Sequence, residues 1–303
     1  MIARGRRFIA PVSFGLGDLV VSLPVIQAAL RNGAKTGKET WLVARSPVQE
    51  ALAERLPRLA GVVAGDALDL GPPDELIDLR DHPLQRDHWW GSPEFEAAYG
   101  QMSMNEILAR IATDFGITAD FSTPLPLEAV PRRDLEGLVL LVADTDGTAK
   151  RWPTERWLAL ARSLHSAGVD SAVVTRGERN HDLVSKGLAE IVASTPGEAV
   201  DVLSACRAVV GVDTGLTHIG VQQGTPTVTI ARQPAVYYRA WKHTRLVSGS
   251  VCDMECQREE RAYAEAQRAS LDPDAAPRFC PSRSRCLQVI EPRMVLEALE
   301  ELC

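Results

Sequence analysis

Three groups of residues in this chain have the types and spacing to act on a phosphorylated ligand. The first is Val209-Val210-Gly211-Val212-Asp213-Thr214-Gly215-Leu216-Thr217-His218, which reads as an apolar strand, an Asp-Thr-Gly turn and the first turn of a helix. A glycine at the turn admits close backbone approach by a ligand. The unpaired amides and positive dipole end of a helix start form an anion site. Thr214 and Thr217 add hydroxyls, and His218 adds a ring nitrogen one turn on. The second group follows the strand Leu138 to Val142: Ala143-Asp144-Thr145-Asp146-Gly147-Thr148-Ala149-Lys150-Arg151-Trp152-Pro153 places hydroxyls and a lysine–arginine pair just before a helix. That arrangement suits phosphate, although a lone lysine is more often a solvated surface charge. The third lies near the start of the chain, where Ser13-Phe14-Gly15-Leu16-Gly17-Asp18 joins a strand to a helix. Asp18 there reads either as a helix cap, the commoner role, or as a carboxylate placed to accept a proton. Together the groups suggest a site for a nucleotide diphosphate, with Gly15 and Gly17 in its glycine loop.

The elements that must position these residues follow from hydrophobic periodicity. Arg7 to Ser13, Trp41 to Ala44, Glu75 to Leu79, Leu138 to Val142, Ser171 to Thr175, Val209 to Val212 and Thr225 to Ala231 read as strands. Leu19, Val20, Leu23, Ile26 and Leu30 mark a helix in which Pro24 is a tolerated kink or a second start. Further helices are expected over Pro47 to Leu56, Asn105 to Phe115, from Pro153 with Trp157, Leu160, Ala161 and Leu164 buried, Ala199 to Cys206, Leu216 to Gln223, and Met294 to Leu302. Strands alternating with helices predict parallel, doubly wound sheets. The proline-rich stretch from Phe121 to Asp134 reads as a linker, dividing the chain into domains 1–130 and 131–303.

Length and charge bound the function. The 303 residues suit two domains of about 150. The 33 basic against 40 acidic residues, a formal charge of −7, argue against a nucleic-acid partner. No apolar run approaches the roughly 18 residues of a membrane span, and the N-terminus lacks the core of a signal peptide. The expectation is a cytoplasmic protein, with at most peripheral membrane contact.

Two other regions carry binding chemistry. Asp81 to Gly91 holds His82, His88, Trp89 and Trp90 after a strand exit. Its aromatics suit a sugar face, or else pack the loop onto the domain; His88, Trp89 and Trp90 are candidate acceptor contacts. After the strand Ser171 to Thr175, Glu178 or Asp182 could take ribose hydroxyls.

Taken together, Ser13 to Asp18 with Leu23-Pro24, Lys150-Arg151-Trp152-Pro153 with Trp157, and Val212 to His218 resemble glycosyltransferase family 9, the heptosyltransferases. The resemblance implies a GT-B architecture, two Rossmann-like α/β domains with parallel sheets facing across a cleft, with acceptor bound by the first domain and nucleotide-sugar by the second. It implies an inverting transferase that needs no catalytic metal and moves a sugar, heptose from ADP-heptose in the best-known members. Asp18 then resembles the general base and Lys150 the lysine on the donor diphosphate. Asp213, Thr214 and Gly215 resemble the donor-binding turn, and Thr145 a phosphate-contacting hydroxyl. Asp182 is chosen over Glu178 for the ribose; His218 and Arg232 complete the donor set. Arg232-Gln233-Pro234 stands where many members have a Gly-Pro-Thr-like turn, and Tyr237-Tyr238-Arg239-Ala240-Trp241 has no match in lipopolysaccharide enzymes. The acceptor is therefore open among a glycan, a protein and a small molecule. A nucleotide-sugar epimerase on the same fold, or a non-catalytic nucleotide-sugar-binding subunit, are the competing functions.

Cys252, Cys256, Cys280 and Cys286 are spaced C-x3-C and C-x5-C, 23 residues apart. Such spacing is compatible with a tetrahedral thiolate site. It resembles the four-cysteine iron finger of one heptosyltransferase branch, so a structural iron or zinc is one reading, set against four independent buried thiols and against disulfides, which a reducing cytoplasm disfavours.

Overall fold

The computed structural model describes residues 5–80, 82, 97, 102, 104–117, 125–145, 150–177, 181–231, 241–249 and 285–303. The chain divides into two units, Met1–Ala129 and Val130–Cys303.

In the first unit, β1 (Arg6–Ala10), β2 (Glu39–Ala44), β3 (Gly61–Ala64) and β4 (Glu75–Asp78) form a parallel sheet of order β3-β2-β1-β4. The helix α1 (Leu16–Thr36) follows β1, α2 (Pro47–Ala53) follows β2, and α3 (Met104–Asp114) packs on α1. Pro24 lies inside α1, which is continuous. Leu19, Val20, Leu23 and Ile26 are fully buried and Leu30 is 8 % exposed. An interior proline costs a helix about 3 kcal/mol. Five buried aliphatic side chains at about 1.5–3 kcal/mol each outweigh it, so neither a break nor a second start is needed.

The second unit is a six-stranded parallel sheet of order β10-β9-β8-β5-β6-β7. Its strands are β5 (Val139–Val142), β6 (Ser171–Thr175), β7 (Ala189–Val192), β8 (Ala208–Val212), β9 (Thr227–Ala231) and β10 (Thr244–Ser248). Its helices are α4 (Thr154–Ser166), α5 (His181–Ser185), α6 (Pro196–Ala205), α7 (Gly215–Gln222), α8 (Arg285–Gln288) and α9 (Pro292–Glu300). Every residue of β5, β8 and β9 is buried, as strands covered on both faces must be. Counted within the unit, the order is the doubly wound 3-2-1-4-5-6, which reverses direction between β5 and β8. Ligands of open α/β sheets sit outside the carboxyl ends of the strands at that reversal. The periodicity-based reading did not anticipate β3, β7 or β10, all of them sheet edges.

Gly211 is required by packing. A Cβ on it would lie 2.2 Å from Thr217 Oγ1 and 3.0 Å from Val142 Cβ. Thr217 Oγ1 occupies that space because it donates to the Val212 carbonyl at 2.6 Å, fastening α7 to the strand before it. Gly211→Ala forces these groups apart and is expected to destabilise the second unit by about 1–3 kcal/mol. Thermal unfolding checks this: the midpoint falls by several degrees, and an unchanged midpoint rules out the tight packing.

Candidate functional site

The reversal point of the second sheet carries a charged cluster. Lys150, from the exit of β5, places its Nζ 2.7 Å from Asp213 Oδ2 at the exit of β8. Asp213 Oδ1 lies 3.3 Å from His218 Nε2, one turn into α7. Burial alone pushes the Asp213 carboxyl up, but the Lys150 ammonium and the His218 ring together hold it well below the usual carboxylate range. Thr214 is the N-cap of α7 in an extended conformation, and its hydroxyl makes no capping bond. The chain's own cap thus leaves the first-turn amides to other acceptors. No acidic residue stands in that turn, and the ionised Asp213 just ahead of the cap is met by Lys150 and His218. Thr145 is buried at the exit of β5.

The structure brings Lys150, Asp213 and His218 together and puts Asp182 elsewhere. The Asp182 carboxylate accepts from Thr154 Oγ1 at 2.8 Å, linking the first turns of α4 and α5 on the exposed rim. Arg176, at the end of β6, was not singled out from sequence. Its guanidinium grips the Asp144 carboxylate through Nε at 2.8 Å and Nη2 at 2.7 Å. Asp144 is 5 % exposed, and its charge is met across the β5 and β6 exits. An arginine immediately after a strand, level with an aspartate after the neighbouring strand, is the signal that could have revealed the pair. Arg232, Glu178, His88, Trp89, Trp90, Cys252, Cys256 and Cys280 lie outside the described residues.

In the first unit, Asp18 lies in the first turn of α1, and its Oδ2 accepts from the Gly15 amide at 2.8 Å. The capping role is thus filled. Gly15 sits where a Cβ would come within 2.9 Å of that carboxylate oxygen, and Gly17 lies between them in the same turn. The loop before α1 is anchored from β2 and α2. Arg45 Nε donates to the Pro11 carbonyl at 3.1 Å, Ser46 Oγ to Phe14 at 2.7 Å, and Gln49 Nε2 to Ser13 and Gly15 at 2.8 and 3.0 Å. Arg45 also pairs with Asp78 at 2.5 Å.

Cys286 is buried in the core of the second unit. Burial pushes the Cys206 thiol up to about 12, which makes it unreactive at neutral pH. No group of three or more metal-ligating side chains occurs among the described residues, and among them no helix is long and apolar enough to cross a membrane.

Residues 120–267 match the family model of glycosyltransferase family 9 (heptosyltransferase). The matched stretch covers just under half of the chain and lies almost wholly in the second unit. The match spans Lys150, Asp213 and His218, and it makes the chain a glycosyltransferase that uses a nucleotide sugar. No curated protein matches the chain in sequence. Among solved structures, a family 9 glycosyl transferase from Veillonella parvula DSM 2008 is similar at 16% identity and TM-score 0.68, over 100% of this chain and 98% of that one. The E. coli ADP-heptose lps heptosyltransferase II is similar at 16% identity and TM-score 0.63, over 98% of each chain. The iron-containing dodecameric glycosyltransferase TibC from enterotoxigenic E. coli H10407 is similar at 16% identity and TM-score 0.67, over 99% of this chain and 76% of that chain. At these identities the likeness shows the fold: a GT-B-type pair of parallel α/β units.

The pH dependence of Asp213 follows from its depressed folded-state pKa. Its ionised form stabilises the fold at neutral pH. That stabilisation is lost as pH falls from the ~4 of an unfolded aspartate through its lower folded value. Asp213→Asn is therefore expected to melt below the unsubstituted protein at pH 7, with the gap closing as pH is lowered past about 4. A gap that stays constant down to pH 3 contradicts the ion-pair account.

Proposed function

We propose that the protein is an inverting, metal-independent glycosyltransferase whose donor diphosphate is held at the β5/β8 reversal by Lys150, Thr214 and the first-turn amides of α7. The observation that carries this reading is the Lys150–Asp213 ion pair across the reversal of strand order. Preorganised cations and amides stabilise charge that develops on a leaving group, and the departing nucleoside diphosphate gains such charge. Asp213, itself an anion, suits the task of holding Lys150 and His218 in place rather than touching phosphate. Thr145 is assigned to the phosphates, Asp182 to the ribose and Arg232 to the sugar end of the donor.

Asp18 is the general base in this reading, taking the proton of the acceptor hydroxyl as it attacks the anomeric carbon. Its bond to the Gly15 amide fixes the carboxylate. Residues 1–130 would bind the acceptor, with His88, Trp89 and Trp90 as contacts, and 131–303 the donor. ADP-heptose is the favoured donor: WaaC of E. coli was solved with ADP, and TibC in complex with ADP-D-beta-D-heptose. The acceptor is a glycan, a protein or a small molecule. The enzyme acts in a reducing cytoplasm, which suits the free thiols of Cys206 and Cys303.

The cysteine segment is proposed to hold a structural iron or zinc. Gly249 packs so closely on the Cys286 backbone that a Cβ would lie 1.8 Å from its carbonyl oxygen. Gly249 and Cys286, which flank the stretch bearing Cys252, Cys256 and Cys280 in sequence, are therefore in backbone contact, which supports the reading. Metal analysis of the purified protein is expected to find about one equivalent; none removes the centre.

Thermal shift against ADP, GDP, UDP and dTDP tests the donor site, because a ligand that binds only the native state raises the melting temperature. A shift selective for ADP is expected. A shift selective for another nucleotide discards heptose as the default sugar, and no shift at all removes the donor-site assignment. Asp18→Asn tests the base. Asparagine can still accept the Gly15 amide, so the helix start survives, and turnover should fall by about 10²–10⁴-fold with nucleotide affinity retained. Unchanged turnover sinks this mechanism.

A further inference from the structure

Lys150 belongs to a turn that is tied down from an unexpected direction. Two residues on, Trp152 is 3 % exposed and donates its indole N–H to the Ile290 carbonyl at 3.1 Å, a buried bond spanning 138 positions. Its ring meets Trp157 edge to face, with centroids 4.9 Å apart at 86°. Arg156, in the first turn of α4, donates through Nη2 to the Gln288 carbonyl at 3.1 Å and pairs with Glu291. Leu287, Ile290, Val295 and Leu299 of the C-terminal segment share one core with Trp152 and Trp157. Three consecutive stations of that segment, Gln288, Ile290 and Glu291, therefore hold the chain that leaves Lys150.

Space-filling alone does not account for Trp152. A phenylalanine would supply ring and bulk, whereas the indole N–H is a donor that must find a partner once buried. Lys150 needs such an anchor, because its charge sits on a flexible four-carbon stem and the salt link to Asp213 fixes only the far end. A charge that stabilises a leaving group works only if already in place, and a misplacement of about 1 Å can cost about 10²-fold in rate.

We propose that Trp152 is a positioning residue for Lys150: through its bond to the Ile290 carbonyl, the C-terminal segment braces the turn from which Lys150 reaches the donor diphosphate. The inference rests on the reading of Lys150 as a diphosphate ligand. The brace makes the segment Arg285–Cys303 part of the donor site without touching the donor.

The test is a double-mutant cycle read as nucleotide affinity. The probe is whichever of ADP, UDP, GDP and dTDP binds the unsubstituted protein most tightly. Trp152→Phe keeps the ring and removes the donor, and is expected to weaken binding about tenfold, the equivalent of ~1.4 kcal/mol. In the Lys150→Ala background the same change should have no further effect, because the group being positioned is gone. An equal loss in both backgrounds makes Trp152 merely structural and overturns the proposal, as does a Trp152→Phe protein that binds like the unsubstituted one while Lys150→Ala binds weakly. Should Lys150→Ala bind normally, or none of the four nucleotides bind, the donor-site reading itself falls and takes the proposal with it. Arg156→Ala, at a partly exposed tether, should show the same non-additivity at about threefold, and decides the matter if Trp152→Phe does not fold.

Discussion

The ion pair between Lys150 and Asp213 is the interaction on which the rest of the second unit depends. Its two partners are 63 positions apart in sequence. They meet only because β5 and β8 are hydrogen-bonded neighbours, with Val139 to Val142 in register against Ala208 to Gly211. That adjacency exists only in a sheet whose order reverses there. A partly buried pair of this kind is a weak source of net stability, because desolvation offsets much of the Coulomb gain. Its value is geometric: the carboxylate stays ionised, and the ammonium and imidazole stay directed to one place. Gly211 and Thr217 belong to the same device, since the hydroxyl that fills the space beside Gly211 fixes the angle at which α7 leaves β8.

The first unit uses the same topology to opposite electrostatic effect. Its strand order also turns about β1, between β2 and β4, but the turn after β1 ends in a carboxylate rather than a lysine. The Asp18 carboxylate accepts a local hydrogen bond from the Gly15 amide. The loop ahead of it is held by four hydrogen bonds from Arg45, Ser46 and Gln49. Precision at Asp18 is thus borrowed from β2 and α2. In the second unit the corresponding precision comes from the far C-terminus, through Ile290 and Gln288. One fold, used twice, therefore presents a carboxylate at one reversal and an ammonium at the other.

Much of this was legible in the chain, and what was not has physical causes. The central strands declared themselves because burial on both faces demands unbroken apolar runs, as in Val139 to Val142. Three of the four edge strands, β3, β7 and β10, did not. Ala189–Val192 is largely exposed, and Gly61–Ala64 has no fully buried residue, so neither carries a pattern of period two. The continuity of α1 through Pro24 was ambiguous because a local propensity opposed a tertiary gain whose size the sequence does not display. At the site, Lys150, Asp213 and His218 stood out by their position at strand exits. Arg176 did not, because its meaning depends on Asp144, which lies 32 positions away and becomes its neighbour only once β5 and β6 pair. Trp152 was read as part of a motif, but its partner is a backbone carbonyl, and carbonyls leave no mark in a sequence.

The residues that brace the turn bearing Lys150 are drawn from the same core that stabilises the second unit. Trp152, Trp157, Ile290 and Leu299 share one apolar cluster with Val139, Leu141 and Val210, the strands that lead to the site. A cavity opened anywhere in that cluster costs stability, and it also loosens the frame in which Lys150 is held. Changes around Val295 or Leu299 should therefore reach the Lys150–Asp213 pair without touching either residue. Stability and chemistry are coupled here by shared packing, which transmits displacement because protein interiors are dense and deform little. A core rebuilt for greater stability in this unit would have to preserve the Trp152–Ile290 bond, or the added stability would come with a misplaced lysine.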